Sequence, residues 1–549
     1  MVNRRRFLQA LSAAPAWAAR AAASRPNILL ILADDLGYSD PGCYGGEITT
    51  PNIDRLASGG VRFTQLYNSA RCCPSRAALL TGQHPHRVGM GNMVGGQARK
   101  EYPGFTGWVS PTAPFLPAVL RDRGYSTLMS GKWHLGDPGP VARGFDEYYG
   151  MLHGFDSYWD ASKYTRLPAG RASATTAQPF YSTDAITDNA LAFLSAARQS
   201  AAKPWFLYLA YNAPHFPLHA PKALIDKYQQ IYEQGWDVIR ERRFARMRQL
   251  GLVDPRWKLS PRSIVGPNRV SDLNGWADKQ NPAWDTIPAD RRKDLARRMA
   301  IFAAAVDRMD QNIGRMIADL ETRGELNNTL ILFCSDNGAC AEWDPWGFDG
   351  RSGPDNVLHT GAQLDEMGQP GSYHSYGSAW ANTSNTPLRL YKHYTHEGGI
   401  SSPSIVHWPA GLKAPKGSMA NKPWHFVDIL PTLASIAGAR TPAECEGVNM
   451  APMLAGKTVH RGPLFWEHEG SRAVRDGKWK ITAVYPTGKW ELYDIEADRT
   501  EQNNLAPQHP DVVRKMVGMW EVWAKQNNVL PWIWNPPYGG TKPSAGGAL

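Results

Sequence analysis

Four short apolar runs are the clearest feature of the hydrophobic pattern. They cover 26–33 (PNILLILA), 125–129 (YSTLM), 205–211 (WFLYLAY) and 329–334 (TLILFC). Nearly continuous apolar runs of this length are typical of strands that are buried on both faces of a sheet. The pattern therefore predicts four central strands.

Stretches with helical periodicity separate these runs, for example 114–123, 184–198 and 293–323. Strands that alternate with helices indicate an α/β fold with a large, mostly parallel sheet flanked by helices. The segment 342–385 is rich in Gly, Ser, Asp and Trp and shows little periodicity, so we expect a long surface excursion near the functional site. Apolar residues repeat at helical spacing over 426–438, which predicts a further helix.

The pattern changes from about Gly447 onward. Short alternating stretches predict a small antiparallel sheet, followed by a helix over 510–527; the stretches are 463–467, 471–474, 479–484 and 490–493. A chain of 549 residues exceeds what one hydrophobic core usually organises, which indicates more than one domain. The predicted division is a large domain at 25–446, a smaller C-terminal α+β domain at 447–535 and a flexible tail at 536–549.

Residues 1–24 have the features of an export signal. Arg4, Arg5 and Arg6 precede an apolar, alanine-rich stretch and small residues suited to cleavage. The arginine cluster resembles the twin-arginine signal that carries folded proteins across a bacterial membrane. A general secretion signal is the alternative. We therefore expect a periplasmic or secreted bacterial protein, and elsewhere the sequence has no apolar run long enough to span a bilayer.

Charge and cysteine content weigh against two classes of protein. The formal net charge is +10, and removal of residues 1–24, which hold four arginines and no acid, leaves +6. Beyond this leader no Lys/Arg runs alternate with aromatic residues, so nucleic-acid binding is disfavoured. Six scattered cysteines do not make a disulfide scaffold in so long a chain. A modest positive charge favours encounter with anionic substrates.

Polar and charged residues follow each of the four predicted strands. They are Asp34 and Asp35, Lys132 and His134, His215, and Asp336 and Asn337. Ligands of parallel α/β folds bind beyond the carboxyl ends of the strands, so the four endings predict one polar site. The acids and the amide supply the oxygen ligands that suit Ca²⁺ or Mg²⁺ rather than Zn²⁺. The alternative is that these acids and amides only form turns.

The segment 72–82 (CCPSRAALLTG) carries a candidate nucleophile. Pro74 suits the first position of a helix and Gly82 its end, which places Cys72 at the helix N-terminus. Free backbone N–H groups and the helix dipole favour an anion there, and Arg76 adds a positive charge about one turn along. The alternative is a buried free thiol or a vicinal disulfide with Cys73.

CCPSR at 72–76 and LTGQ at 80–83 resemble the signature of the formylglycine-dependent sulfatases. The resemblance runs from about Asn27 to about Pro409, and 375–400 and 466–479 resemble the bacterial arylsulfatase type of this family. It implies an alkaline-phosphatase-like fold. It also implies hydrolysis of sulfate esters, with aryl sulfates as the favoured class, to an alcohol or phenol and inorganic sulfate.

The resemblance further implies a modified residue and a metal ion. A formylglycine-generating enzyme would convert Cys72 to formylglycine, whose hydrate would attack sulfur and form a sulfated-enzyme intermediate. A Ca²⁺ ion, with Mg²⁺ as the alternative, would contact residue 72. Its other ligands would be Asp34, Asp35, Asp336 and Asn337.

The remaining implied roles concern cations and proton transfer. Arg76 and Lys132 would hold the hydrated formylglycine and the sulfate. His215, as general acid, and Lys392 would face the leaving oxygen. Asp336 would help to remove the proton of the attacking hydroxyl, and His134 would take the proton that lets sulfate depart.

Two other functions stay open from the sequence. A phosphonate monoester or phosphodiester hydrolase of the same superfamily would use the same residues on a phosphorus centre. A catalytically silent, sulfatase-like protein would use them only for binding. The natural substrate and the oligomeric state are open as well.

Overall fold

The structure of the protein is a computed structural model. It describes residues 25–95, 101–175, 178–199, 203–263, 279–343, 345–353, 355–485, 488–530 and 532. The predicted export signal at 1–24 and the predicted tail at 536–549 lie outside the described residues. The predicted domain limits stay a prediction.

A large mixed sheet forms the centre of the described part of the chain. Its strands are β1 (Asn27–Ala33), β2 (Val61–Tyr67), β3 (Ser126–Gly131), β4 (Glu147–Gly150), β5 (Thr165–Leu167), β6 (Trp205–Ala210), β7 (Thr329–Ser335), β8 (Ser401–His407), β9 (Ser418–Ala420) and β10 (Trp424–His425). Their spatial order is β10-β2-β8-β7-β1-β6-β3-β4-β5, and β9 also pairs with β2. Neighbours are parallel except where β8 meets β2 and β7 and where β5 meets β4. The predicted mostly parallel sheet is confirmed.

Helices flank this sheet and follow it in the chain. They are α1 (Pro51–Gly59), α2 (Cys72–Thr81), α3 (Leu116–Asp122), α4 (Ser182–Gln199), α5 (Lys222–Tyr232), α6 (Trp236–Gln249), α7 (Ala289–Thr322), α8 (Gln363–Glu366), α9 (Gly377–Ser384), α10 (Glu397–Ile400), α11 (Ile429–Ile436), α12 (Ala451–Leu454) and α13 (Pro510–Gln526). Within the described ranges, no helix has both the length and the apolar composition that a bilayer crossing needs.

The four predicted central strands are adjacent in the sheet, in the order β7-β1-β6-β3. Every residue of β6 and β7 is buried. Alternate residues of β1 point to opposite faces, so that Leu29 and Ile31 pack in one apolar core and Leu30 and Leu32 in another. Because the sheet carries a core on each face, these strands appear in the sequence as continuous apolar runs.

The segment 342–385 is in part the surface excursion that its composition predicts, since most residues of 355–366 are exposed. The part of the segment at 375–385 is buried instead. Its helix α9 is buried at every position. Trp380 donates from its indole N–H to the carbonyl of Leu295 at 2.9 Å and packs against the rings of Trp236 and Trp284. A helix that is surrounded by protein has no polar face, so its sequence shows little amphipathic periodicity.

A second, antiparallel sheet follows, as predicted. Its strands pair in chain order and are β11 (Leu464–His468), β12 (Ser471–Asp476), β13 (Trp479–Ala483) and β14 (Glu491–Asp494). Val474 and Ile481 pack against Trp520 of α13 on one face. On the other face, Trp466 and Ala473 pack against Tyr67 and Ile400 of the main body. The small sheet is therefore joined to the large one by an apolar contact.

Candidate active site

The ends of β1 and β7 bring the two predicted acidic pairs together. The strands are parallel neighbours with Ala33 opposite Ser335, so the residues after them leave the sheet side by side. The backbone N–H of Asp35 donates to Asp336 Oδ1 at 3.3 Å, and the side-chain amide of Asn337 donates to Asp35 Oδ1 at 2.6 Å. These side chains are almost completely buried.

Two residues at the strand ends have an unusual backbone conformation. Asp35 has φ 67° and His134 has φ 53°, in the left-handed region that non-glycine residues seldom adopt. Such conformations persist only where the surrounding structure enforces them, and they cluster at functional sites. Both fall on residues that the sequence predicts for the site.

Cys72 is the first residue of α2, and its side chain is 2% exposed. The helix starts two residues earlier than the position of Pro74 suggests. It ends at Gly82, whose φ of 68° is the left-handed conformation that glycine adopts most easily. Residue 72 therefore lies at the positive end of the helix dipole, where backbone N–H groups are available to an anion.

Three cations neutralise the three buried carboxylates of the site. The pairs are Lys132 with Asp34 at 2.5 Å, Lys392 with Asp35 at 2.9 Å, and Arg76 with Asp336 at 2.9 Å. Arg76 also donates to the carbonyl of Lys132 at 2.8 Å, which ties α2 to the end of β3. We call these six residues together with Asn337 the strand-end cluster. The formal charges of its three acids and three cations sum to zero. A bound cation would therefore give the cluster a net positive charge, which attracts an anion.

Two buried oxygens of the strand-end cluster have no hydrogen-bond partner, namely Asp34 Oδ1 and Asn337 Oδ1. Arg76 lies 3.6 Å from Asp34 Oδ1, beyond hydrogen-bond distance. Leaving a buried acceptor unsatisfied costs about 1–3 kcal/mol. A cation that takes oxygen ligands would satisfy both atoms, and three carboxylates with one amide oxygen suit Ca²⁺. The residues present therefore fit a calcium ion.

Burial is the main influence on the acids of this cluster. Burial and the negative charge of Asp34 hold the pKa of Asp336 well above its ordinary value, and burial also raises the pKa of Asp34. Burial acts in the same direction on Asp35, but His215 and Lys392 beside it hold its pKa well below the ordinary value. Full ionisation of Asp34 and Asp336 thus calls for additional positive charge, which a bound cation supplies.

Both predicted histidines are buried, and His215 lies beside Lys392. Burial lowers the pKa of both His134 and His215 to about 4, so both are neutral at pH 7 in the absence of substrate. His215 Nδ1 lies 2.6 Å from the carbonyl oxygen of Phe216, which places the ring proton there. Its Nε2 then faces Lys392 Nζ at 3.4 Å. Burial acts to lower the pKa of Lys392, but Asp35 holds it well above the ordinary value, so the amine keeps its proton.

A cavity of about 340 Å³ opens onto the site. Cys72, His134, His215 and Lys392 line it, as the sequence predicts. It is also lined by residues that sequence reasoning missed, including Arg71, Met93, Phe155, Phe216, Glu342 and Glu469. Arg71 and Phe216 could have been proposed because they adjoin Cys72 and His215. The others come from segments that carry no motif.

All the residues predicted for the site lie either in the strand-end cluster or on the wall of this cavity. Ligand atoms of Cys72 and His134 lie within 4.8 Å of each other, as do those of Asp34, Asp35 and His215. The roles assigned to these residues stay predictions. The convergence itself follows from strand order, because β7, β1, β6 and β3 end at one edge of the sheet.

Comparison with known proteins gives matches of three kinds. The sulfatase family model matches residues 26–439, and a model described as N-sulphoglucosamine sulphohydrolase, C-terminal, matches residues 389–524. An uncharacterised sulfatase of Schizosaccharomyces pombe is 34% identical over 93% of this chain and 95% of its own length. The arylsulfatase of Klebsiella aerogenes is 32% identical over 82% of this chain and 96% of its own length. The solved structure of Ps i-CgsB in complex with k-i-k-neocarrahexaose has a TM-score of 0.64 and 26% identity, and the match covers 93% of this chain and 95% of that one.

Proposed function

The chain belongs to the sulfatase family and is a sulfuric ester hydrolase, and from this premise we propose that it acts on aryl sulfates through a formylglycine formed at Cys72. The observation that carries the proposal is the position of Cys72, at a helix N-terminus on the wall of a cavity shared with His134, His215 and Lys392. A hydrated aldehyde has two hydroxyl groups, so one can attack sulfur and the other can later expel sulfate. A thiol or a simple hydroxyl offers no such second step.

Fixed positive charge prepares the site for the sulfate group. Arg76 is held by Asp336 and by the carbonyl of Lys132 before any substrate arrives, so its guanidinium needs little reorganisation. Lys132 is held in the same way by Asp34. A bound calcium ion, with Asp34, Asp35, Asp336 and Asn337 as ligands, would add the positive charge that polarises the sulfate oxygens.

We assign the protonation of the leaving oxygen to His215 and Lys392. Their nitrogen atoms lie 3.4 Å apart, and both residues line the cavity. Neutral His215 presents an acceptor nitrogen to the cavity, so the imidazole would act as general acid once the negative charge of the bound sulfate ester raises its pKa and it takes up a proton. Lys392 keeps its own proton and would stabilise the charge on the leaving oxygen. Negative charge that builds on the leaving oxygen would then meet a cation in either protonation state of the pair.

His134 is suited to the release of sulfate. Its Nδ1 is buried and makes no hydrogen bond, and the ring is neutral at pH 7, so it can accept a proton from the hydroxyl of residue 72. Asp336, held in place by Arg76, would accept the earlier proton of the attacking hydroxyl.

An aromatic wall beside His215 supports the preference for aryl sulfates. The ring of Phe155 is nearly parallel to the His215 ring, with centroids 6.0 Å apart and an angle of 11°, and it lies 5.0 Å from the ring of Phe216. Phe155 is 39% exposed. A flat, apolar leaving group would pack against this wall and cover it from water.

Mass spectrometry and turnover test the proposal together, on protein made in a host that contains a formylglycine-generating enzyme. The peptide with residue 72 should lack the thiol sulfur, and hydrolysis of 4-nitrophenyl sulfate should rise in proportion to the converted fraction. Cys72→Ala should keep the melting temperature and release no sulfate. Full activity of that variant would exclude the assigned nucleophile. Faster turnover of an aryl phosphonate monoester than of the aryl sulfate would exclude the assigned substrate class.

We also propose that residues 1–24 direct export by the twin-arginine route, because three consecutive arginines precede their apolar stretch. A reporter fused behind these residues should reach the periplasm of a bacterial host. Replacement of Arg5 and Arg6 by lysine should retain it in the cytoplasm. Export that continues in a strain without the twin-arginine translocase would indicate general secretion instead.

A further inference from the structure

Four ionisable side chains outside the predicted catalytic set meet beside the cavity. We call Arg71, Glu342, His393 and Glu469 the Arg71 cluster. Arg71 donates to Glu469 at 2.6 Å and lies 3.2 Å from His393 Nδ1, and His393 Nε2 lies 3.5 Å from Glu342. Arg71, Glu342 and Glu469 line the same cavity as Cys72. They come from the start of α2, from the chain after β7 and from the turn between β11 and β12.

The Arg71 cluster contains two carboxylates and one guanidinium. Although burial acts to raise the pKa of Glu342, His393 and the charge of Lys392 beside it lower that pKa to about 2. Arg71 likewise holds the pKa of Glu469 well below its ordinary value, against the effect of burial. Both carboxylates are therefore ionised at pH 7, and Arg71 is the permanent cation of the group. Two carboxylates and one guanidinium give a formal charge of −1 before His393 is counted.

The sulfate end and the leaving-group end of a bound substrate would lie near charges of opposite sign. The sulfate group would lie at residue 72, where the helix dipole, Arg76, Lys132 and a bound cation favour an anion. The rest of the ester occupies the same 340 Å³ cavity, so its far end comes close to Glu342 and Glu469. Charges interact more strongly in such a partly buried site than in water.

We propose that the Arg71 cluster is an outer subsite that selects sulfate esters whose leaving group carries no second negative charge. A hydroxyl or ammonium substituent can donate to the carboxylates, whereas a carboxylate or a second sulfate is repelled. This inference rests on the proposed function, because it concerns the leaving group of the same reaction. It predicts that singly sulfated phenols with neutral or cationic substituents are better substrates than polyanionic sulfated sugars.

A matched series of substrates tests the subsite. Three phenyl sulfates carry a hydroxymethyl, a carboxymethyl or an aminomethyl group at the same ring position. We expect kcat/KM for the carboxymethyl compound to be lower than for the hydroxymethyl compound by about tenfold or more. The aminomethyl compound should match or exceed the hydroxymethyl compound. A ratio of kcat/KM values from one preparation does not depend on how much of residue 72 has been converted.

Reciprocal variants make the test specific to charge. Glu469→Gln and Glu342→Gln keep the side-chain shape and should raise the relative rate on the carboxymethyl compound by about fivefold or more. Arg71→Gln should lower that relative rate further. Glu366→Gln makes the same chemical change at an exposed position of α8 and should leave all three rates unchanged.

The outcomes separate the two proposals. If protein with confirmed conversion hydrolyses none of the three compounds, the proposed function fails and the subsite proposal with it. If the hydroxymethyl compound is hydrolysed and the carboxymethyl compound is hydrolysed equally well, only the subsite proposal is overturned. It is also overturned if the glutamine variants change all three rates by the same factor, because that result indicates a merely structural role.

Discussion

Two buried clusters of charge in this protein differ in how completely their polar atoms are satisfied. The strand-end cluster meets a cavity through Lys392, and two of its oxygens, Asp34 Oδ1 and Asn337 Oδ1, have no hydrogen-bond partner. A second cluster, which we call the Glu397 cluster, consists of Glu397, Lys480 and Arg499 and lies where the small sheet meets the large one. Its side chains are equally buried.

The Glu397 carboxylate is saturated with donors. Lys480 donates to one oxygen at 3.0 Å and Arg499 donates to the other at 2.8 Å. The hydroxyl groups of Tyr67 and Ser401 complete the shell at 3.0 Å each. Burial acts to raise the pKa of Glu397, but Lys480 and Arg499 hold it well below the ordinary value. This carboxylate is therefore ionised at pH 7, and donors already occupy both of its oxygens.

The comparison shows that buried charge alone does not identify a functional site. Structural ion pairs and catalytic groups both have shifted pKa values. What separates them here is an incomplete set of hydrogen bonds next to a cavity, which leaves room for an ion and a substrate. Perturbing the strand-end cluster or the cavity beside it should change chemistry more than stability, and perturbing the Glu397 cluster should do the reverse.

The largest expected effect is a loss of turnover in the variant His134→Asn. Asparagine tolerates the left-handed backbone at this position, and His134 Nδ1 has no hydrogen bond to lose. We expect kcat for an aryl sulfate to fall by about 10³-fold, within the range for loss of a positioned acid or base. The free energy of unfolding should change by less than about 1 kcal/mol, as measured by urea denaturation. A loss of unfolding free energy well above that limit would show that His134 has a structural role.

The next largest expected effect is a loss of stability in the variant Lys480→Met. The change removes a buried cation that lies 3.0 Å from Glu397 and 2.8 Å from Glu501, and loss of one partner of a buried pair costs about 3–5 kcal/mol. The activity of the protein that remains folded should stay near wild type. Lys478→Met is the matched control, because its pair with Asp494 is half exposed and worth less than about 1 kcal/mol. Equal effects of the two variants in urea denaturation would contradict the distinction.

Calcium binding to the strand-end cluster should stabilise the folded protein by a smaller amount. An ion that binds only the folded state at a hundred times its dissociation constant adds about 2.7 kcal/mol. Calorimetry of chelator-treated protein should therefore show a rise in melting temperature when Ca²⁺ is added back. Asn337→Ala, which removes one of the unsatisfied oxygens, should reduce that rise. An equal rise with Mg²⁺ would correct the identity of the ion, and no rise with either would remove the proposed metal site.

The smallest effect concerns the pH dependence of stability. Because the folded-state pKa of Glu397 lies below its ordinary value of about 4.3, its contribution is complete above that pH and is lost as pH falls toward the folded-state value. Glu397→Gln should be less stable than wild type at pH 7. Its free energy of unfolding should then fall less steeply between about pH 5 and pH 3, by about 1 kcal/mol. Parallel pH curves for the two proteins would contradict the assigned ion pairs.

Much of the strand-end cluster could be predicted because short sequence patterns identify its residues. Asp34 and Asp336 each follow a continuous apolar run, and Cys72 lies in a short motif with Pro74 and Arg76. Parallel strands end at one edge of a sheet, so residues at several strand ends must meet. The same reasoning did not reach α9, because a helix buried on all sides has the weak periodicity of a loop.

The amino-acid sequence by itself determined the central strands, the position of Cys72 at a helix N-terminus and the acidic and amide side chains that meet at the strand ends. Those features depend on neighbours in the chain or on the common direction of parallel strands. Only the tertiary structure decided that Glu469 and Glu342 reach the cavity and that Lys480 and Arg499 close around Glu397. These contacts join residues 83 to 398 positions apart, and nothing in a local pattern specifies which distant side chain will fill a given space.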